Sequence, residues 1–116
     1  MLFIEYPKCT TCIKARKYLE SKTSNFTLRN IKEDNPSVDE LKQWHKLSGL
    51  ELNKLFNTSG LIYKDLNLKE KLPSMTDEEK YQLLASNGML VKRPILVLDD
   101  VVFFGFKENL WEEKLK

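Results

Sequence analysis

Several residue types are scarce in this chain, and each shortage narrows what it can be. Of 116 residues, one is histidine (His45) and two are cysteine (Cys9 and Cys12). A structural zinc site takes four ligands, so a metal would have to recruit carboxylates or a second subunit; no metal is expected. Arginine occurs only as Arg16, Arg29 and Arg93. No apolar run approaches the roughly 20 residues that cross a bilayer. The N-terminus also lacks the basic-then-apolar pattern of a secretory leader. A cytoplasmic protein with no membrane partner is the expectation, and there thiols stay reduced and a cysteine pair serves catalysis or sensing more often than structure. Nineteen basic against 17 acidic residues leave a net charge of +2, which gives no electrostatic case for direct nucleic-acid binding.

What remains is an ordinary globular composition, 41% hydrophobic and 31% charged. The length supports one core and not two, so residues 1–116 are read as a single domain and a monomer. The distinctive stretch is Tyr6-Pro7-Lys8-Cys9-Thr10-Thr11-Cys12. An apolar run, Met1-Leu2-Phe3-Ile4, precedes it, and a helical pattern follows to about Leu19. Strand, turn with C-x-x-C, helix is an arrangement in which a thiol reacts at neutral pH, because helix-end amides favour the thiolate. Cys9, at the start of the turn and beside Lys8, is the candidate nucleophile. Cys12, one helical turn on, is placed to resolve a mixed disulfide. Two bland readings stand beside this one: half of a metal site, or small apolar filler, since Cys12 shares a helix face with Ala15 and Leu19.

The chain alternates strand and helix signals at its two ends. Residues 1–6 read as a buried strand and about 10–21 as a helix, with Lys14, Arg16 and Lys17 outward. Ser24 to Ile31 reads as a second strand, giving a parallel βαβ unit. The middle, about 36–88, reads as a helical insert. Ser37 with Glu40 and Thr76 with Glu79 are capping-box patterns, Gly49 is a stop, and Asn57-Thr58-Ser59-Gly60 is a tight turn. Trp44 is expected in the core. Residues 94–98 and 101–104 are strand-like runs joined by Asp99-Asp100, the spacing of an antiparallel hairpin. A closing helix over about 107–115 follows Gly105. The order βαβ, helices, ββα is an α/β, thioredoxin-like layout with a mixed four-stranded sheet interrupted by a helical insert.

In such layouts the loop entering the third strand lies beside the cysteine turn, which brings Arg93-Pro94 to Cys9. The proline there is commonly cis, and the arginine could lower the thiol pKa or bind an anion. The plain alternative is a surface arginine ahead of a strand.

With these pieces assembled, the chain resembles the arsenate reductase (ArsC)-like family, which also contains Spx/MgsR-type regulators. The matching segments are Tyr6 to Cys12, Leu55-Phe56-Asn57-Thr58-Ser59-Gly60, Leu83-Leu84-Ala85 through Gly88, Lys92-Arg93-Pro94-Ile95-Leu96-Val97, and Gly105-Phe106 with Trp111-Glu112. They run through nearly the whole length in order. The resemblance implies the thioredoxin-like fold, Cys9 as the reactive cysteine and Arg93 as the anion-facing arginine before a cis-proline. The chain departs from the family's arsenate reductases, which hold the oxyanion with several arginines. Asn57 stands where they tend to carry one, and Lys107 is a partial substitute without a bidentate fork.

Two functions follow. One is a thiol-dependent oxidoreductase: Cys9 attacks an oxidised substrate, Cys12 resolves it, and an external reductant of glutathione/glutaredoxin or thioredoxin type restores the pair, with no bound cofactor. Lys8, Thr10, Thr11, Arg93 and Pro94 would surround the substrate, with backbone N–H groups of Thr10, Thr11 and Cys12 facing negative charge. The other is an Spx-like regulator in which the disulfide is a switch controlling contact with the RNA polymerase α subunit.

Overall fold

Residues 1–115 are described by the structure, a computed structural model. Strand β1 (Leu2–Glu5) leads into helix α1 (Thr10–Lys22), which returns to β2 (Thr27–Asn30). The insert holds α2 (Val38–Ser48), two short helices α3 (Leu61–Asp65) and α4 (Leu68–Lys71), and α5 (Asp77–Ser86). Tight 3₁₀ turns at Leu52–Leu55, Leu72–Ser74 and Gly88–Leu90 link them. Strands β3 (Ile95–Val97) and β4 (Val102–Phe104) and helix α6 (Glu108–Leu115) complete the chain. The four strands are ordered β2-β1-β3-β4, with β1 parallel to β2 and antiparallel to β3, and β4 antiparallel to β3.

Strand periodicity splits the apolar residues between two cores. Ile4, Ile95, Val102 and Phe104 face the insert and meet Leu41 and Trp44 of α2 and Leu84 of α5. Phe3 and Leu96 face the other way and meet Ala15 and Leu19 of α1 and Trp111 of α6. Phe3 and Trp111 meet edge to face at 6.3 Å between ring centroids. Trp44 is a core residue, as its helical spacing suggests.

Local chemistry accounts for the element ends. Both capping boxes form: Ser37 and Thr76 accept the N–H of Glu40 and Glu79, whose carboxylates accept the cap N–H in return. Gly49 ends α2 in the left-handed region at φ 70°. Asp99-Asp100 form a two-residue turn closed by Leu98 N–H donating to Val101 O at 2.9 Å.

Two details differ from the sequence reading. β2 is shorter than 24–31, because Asn25 N–H turns to Thr23 Oγ1 before pairing begins. Arg16 does not simply face solvent. Its Nη1 donates to Glu5 Oε2 at 3.1 Å, answering a carboxylate that the fold leaves only 5% exposed.

Gly88 shows why the insert sits close to the sheet. A Cβ there would stand 1.9 Å from Ile31 O, so only glycine allows the chain this near the end of β2. Beyond it, Phe56 and Val91 form an isolated antiparallel bridge. Asn57 N–H donates to Leu90 O at 2.8 Å and Lys92 N–H to Leu55 O at 2.7 Å.

Candidate active site

The register of β1 against β3 builds the site. Ile4 lies opposite Ile95, so the antiparallel pair sets the end of β1 beside the chain entering β3. The turn after β1 and Arg93 must therefore be neighbours. The Arg93 guanidinium carbon lies 5.4 Å from the Tyr6 ring centroid, its Nη1 donates to Met89 O at 3.4 Å, and the Arg93–Pro94 peptide bond is cis. Arg93 Nε is buried and has no partner among the described residues.

Cys9 is the N-cap of α1. Its backbone is extended (φ −84°, ψ 124°), its N–H donates to Tyr6 O at 2.9 Å, and its carbonyl accepts from Ile13 N–H at 3.0 Å. Its thiol makes no capping hydrogen bond as a neutral group. The thiolate is what the surroundings favour. Partial burial opposes its charge, but the Cys12 N–H and thiol, the Arg93 guanidinium and the Thr11 N–H outweigh this and bring its pKa below 9.0.

Cys12 has the opposite character. It is fully buried on the inner face of α1. Burial first, against an opposing Tyr6 N–H, and then the adjacent Cys9 side chain push its pKa from 9.0 to about 12. Both cysteines are free thiols in this structure.

Cys9 and Thr11 open onto a cleft of about 360 Å³. Asn57, Ser59 and Gly60 form the wall contributed by the insert. Lys92 and Arg93 form a second wall, and Gly105, Phe106 and Lys107 a third. Three cations and no carboxylate line this space, and among the described residues none of the three forms an ion pair within 4.0 Å. The Lys92 stem passes over Gly105, where a Cβ would meet its Cε at 2.9 Å. Such a cleft can hold an anionic group beside a thiolate.

The structure thus brings together Cys9, Cys12, Thr11 and Arg93. Lys8 and Thr10 are exposed and outside the cleft lining, and Pro94 is buried behind it. Thr11 and Cys12, the second and third residues of α1, supply the N–H groups that favour the thiolate. Sequence reasoning missed Lys92, Ser59 and Phe106. The available signals were the adjacent Lys92-Arg93 pair and the family-like segments holding Ser59 and Phe106, and an extended chain would ordinarily point two neighbours such as Lys92 and Arg93 to opposite sides. Among the described residues, no three His, Cys, Asp or Glu side chains gather in a way that could hold a metal ion. Nor, among them, is any helix long and apolar enough to cross a membrane.

A β2-β1-β3-β4 mixed sheet, with C-x-x-C opening α1 and arginine–cis-proline opposite it, defines a thioredoxin-like protein carrying a helical insert. More particularly, the chain belongs to the ArsC family, whose model matches residues 4–114. It is 50% identical over 113 residues to the uncharacterized YusI of Bacillus subtilis strain 168, covering 97% of this chain and 96% of YusI. It is 30% identical over 106 residues to the regulatory protein MgsR of the same organism, covering 91% and 82%. An ArsC family related protein from Bacteroides fragilis superposes at a TM-score of 0.95 with 55% identity, covering 99% and 96%. A possible arsenate reductase from Streptococcus mutans UA159 gives 0.88 with 39% identity, covering 97% and 96%.

Proposed function

We propose that this protein is a thiol-dependent oxidoreductase in which Cys9 and Cys12 act as a redox pair. The observation that carries the reading is the asymmetry of the two sulfurs. One is half-exposed at a helix N-terminus with its pKa lowered; the other is sealed one turn inside with its pKa pushed up to about 12. That is the division of labour of an attacking thiol and a resolving thiol. Cys9 Sγ attacks one sulfur of a substrate disulfide, the S–S bond breaks, and the departing thiolate takes a proton. The mixed disulfide removes the negative charge from Cys9, and with it one of the influences holding the Cys12 proton. Cys12 Sγ then attacks Cys9 Sγ, giving the Cys9–Cys12 disulfide and a second released thiolate. The substrate gains two electrons, and an external dithiol or glutathione returns them to the pair. Arg93 and the Thr11 and Cys12 N–H groups favour the anions in each exchange.

A disulfide suits the cleft better than arsenate. Only Arg93 offers a guanidinium there; Lys92 and Lys107 are point charges and Asn57 is neutral, so a multidentate oxyanion cage is not formed. The relationship to the regulatory protein MgsR favours a second reading, a redox-responsive regulator, for which the Spx-type resemblance implies the RNA polymerase α subunit as partner. The two separate by experiment. Catalytic turnover of a small disulfide with thiol recycling supports the enzyme; α-subunit capture that depends on cysteine oxidation, without turnover, supports the regulator. For the pair itself, iodoacetamide should label Cys9 well before Cys12 at neutral pH, and Arg93→Ala should slow it by raising the Cys9 pKa. Equal, slow labelling of both cysteines sinks the assignment.

A further inference from the structure

We infer that the substrate presented to Cys9 is an extended polypeptide segment bearing an oxidised cysteine, with apolar side chains on both sides and an acidic residue near it. The inference rests on the thiol-exchange reading above and names its substrate class. The cleft is not isolated. On one side it shares Asn57, Ser59, Gly60 and Arg93 with a second depression of about 390 Å³, whose remaining wall is Leu61, Ile62 and Met89. On the other side it shares Phe104, Gly105 and Lys107 with a third of about 120 Å³, bounded by Leu50 and Leu110. Cys9 therefore lies in a cationic cleft with a more apolar depression adjoining each of two walls, three neighbouring hollows that together outline a trough.

Three observations favour a polypeptide over a small ligand. The first two depressions each have the volume of a whole ligand pocket, far more than one oxyanion fills, and together they exceed what a single tripeptide thiol would occupy. The apolar residues at the ends are poorly covered: Leu61 is 78% exposed, Leu110 42% and Leu50 39%. Lys92, Arg93 and Lys107 between them lack carboxylate partners among the described residues, so the occupant's matching charge is negative and sits close to the sulfur. A chain running through the trough would cover Leu61 and Leu110 at opposite ends while its cysteine meets Cys9 at the centre.

The test uses Cys12→Ser protein, in which the reaction stops at the mixed disulfide. The probe is a peptide of pattern Leu-Asp-Cys-Asp-Leu with its cysteine joined to thionitrobenzoate; the same leaving group on mercaptoethanol is the reference. Cys9 attacks the probe's cysteine sulfur, the S–S bond breaks, and one coloured thionitrobenzoate anion leaves per event. The peptide should react about tenfold faster than the reference, the preference that burial of one leucine side chain supplies. A peptide with lysines in place of the acids should lose that advantage. Leu61→Ser and Leu110→Ser should each reduce the peptide-to-reference ratio severalfold, and Lys107→Glu should favour the lysine peptide. Equal rates for all probes overturn the docking inference while leaving the thiol reading intact. Absence of reaction with every probe overturns the thiol reading and this inference with it.

Discussion

Gly88→Ala offers a sharp trial of how the insert is seated. The new Cβ would lie 1.9 Å from Ile31 O, 2.8 Å from Ile31 C and 2.9 Å from Asn35 Oδ1. An unstrained carbon–oxygen contact is at about 3.3 Å or beyond, so about 1.4 Å must be opened between two stretches of backbone. Neither side yields easily. Ile31 N–H is bound to Glu5 O at 2.9 Å at the end of β2, and Gly88 O accepts from Val91 N–H at 3.1 Å. The cost belongs at the upper end of overpacking, about 3 kcal/mol. For a chain of this size that corresponds to a fall of roughly 12 °C in Tm. Gly49→Ala is the control. It has nothing within 4 Å but lies at φ 70°, so it carries only the left-handed penalty of about 1 kcal/mol, near 4 °C. Thermal denaturation followed by circular dichroism decides the matter. The displaced segment also carries Met89 and Arg93, so iodoacetamide labelling of Cys9 should slow in Gly88→Ala and stay unchanged in Gly49→Ala. A Tm for Gly88→Ala within about 3 °C of the unsubstituted protein would refute the close approach, because overpacking of this kind shifts Tm by several degrees.

Other outcomes follow from the titrating groups. Cys12 has its folded pKa raised, so its contribution to stability is full below the ordinary value of 9.0 and lost as pH rises towards about 12. Over that window stability should fall steadily with rising pH relative to Cys12→Ala, measured by urea unfolding at a series of pH values; parallel profiles would contradict the burial argument. Glu40 is held below the usual carboxylate range chiefly by its hydrogen bonds to Arg29, at 2.7 and 2.9 Å. Its folded pKa is depressed, so this stability is present above the ordinary carboxylate value and lost as pH falls through the folded one. Glu40→Gln should therefore flatten the acid limb of the unfolding profile, and an unchanged limb would show that the pair contributes nothing.

Much of the fold was legible because its signals are local. The capping boxes at Ser37 and Thr76, the Gly49 stop, the Asp99-Asp100 turn and the strand–C-x-x-C–helix junction each depend on residues within one turn of one another. The fragmentation of residues 61–74 into short helices and a 3₁₀ turn carried no such local marker. The Cys9–Arg93 juxtaposition was reachable only through the expected strand order, since 84 positions separate them along the chain. Lys92 and Phe106 escaped notice because their place in the cleft comes from where Leu55 and Pro94 hold the neighbouring backbone: Lys92 N–H donates to Leu55 O and Gly105 N–H to Pro94 O. Lys8 and Thr10 looked equally well placed, yet the start of α1 leaves both side chains exposed and outside the cleft lining.

The short ladder between residues 55–57 and 90–92 gives the insert a mechanical role. Because Lys92 hangs from Leu55 and Asn57 from Leu90, one wall of the cleft and the approach to Arg93 are clamped as a single piece. Changes of length within the exposed stretch 64–67 leave that clamp untouched. A one-residue slip at 55–57 would instead shift the guanidinium relative to the sulfur, so the insert acts as the gauge that sets their spacing.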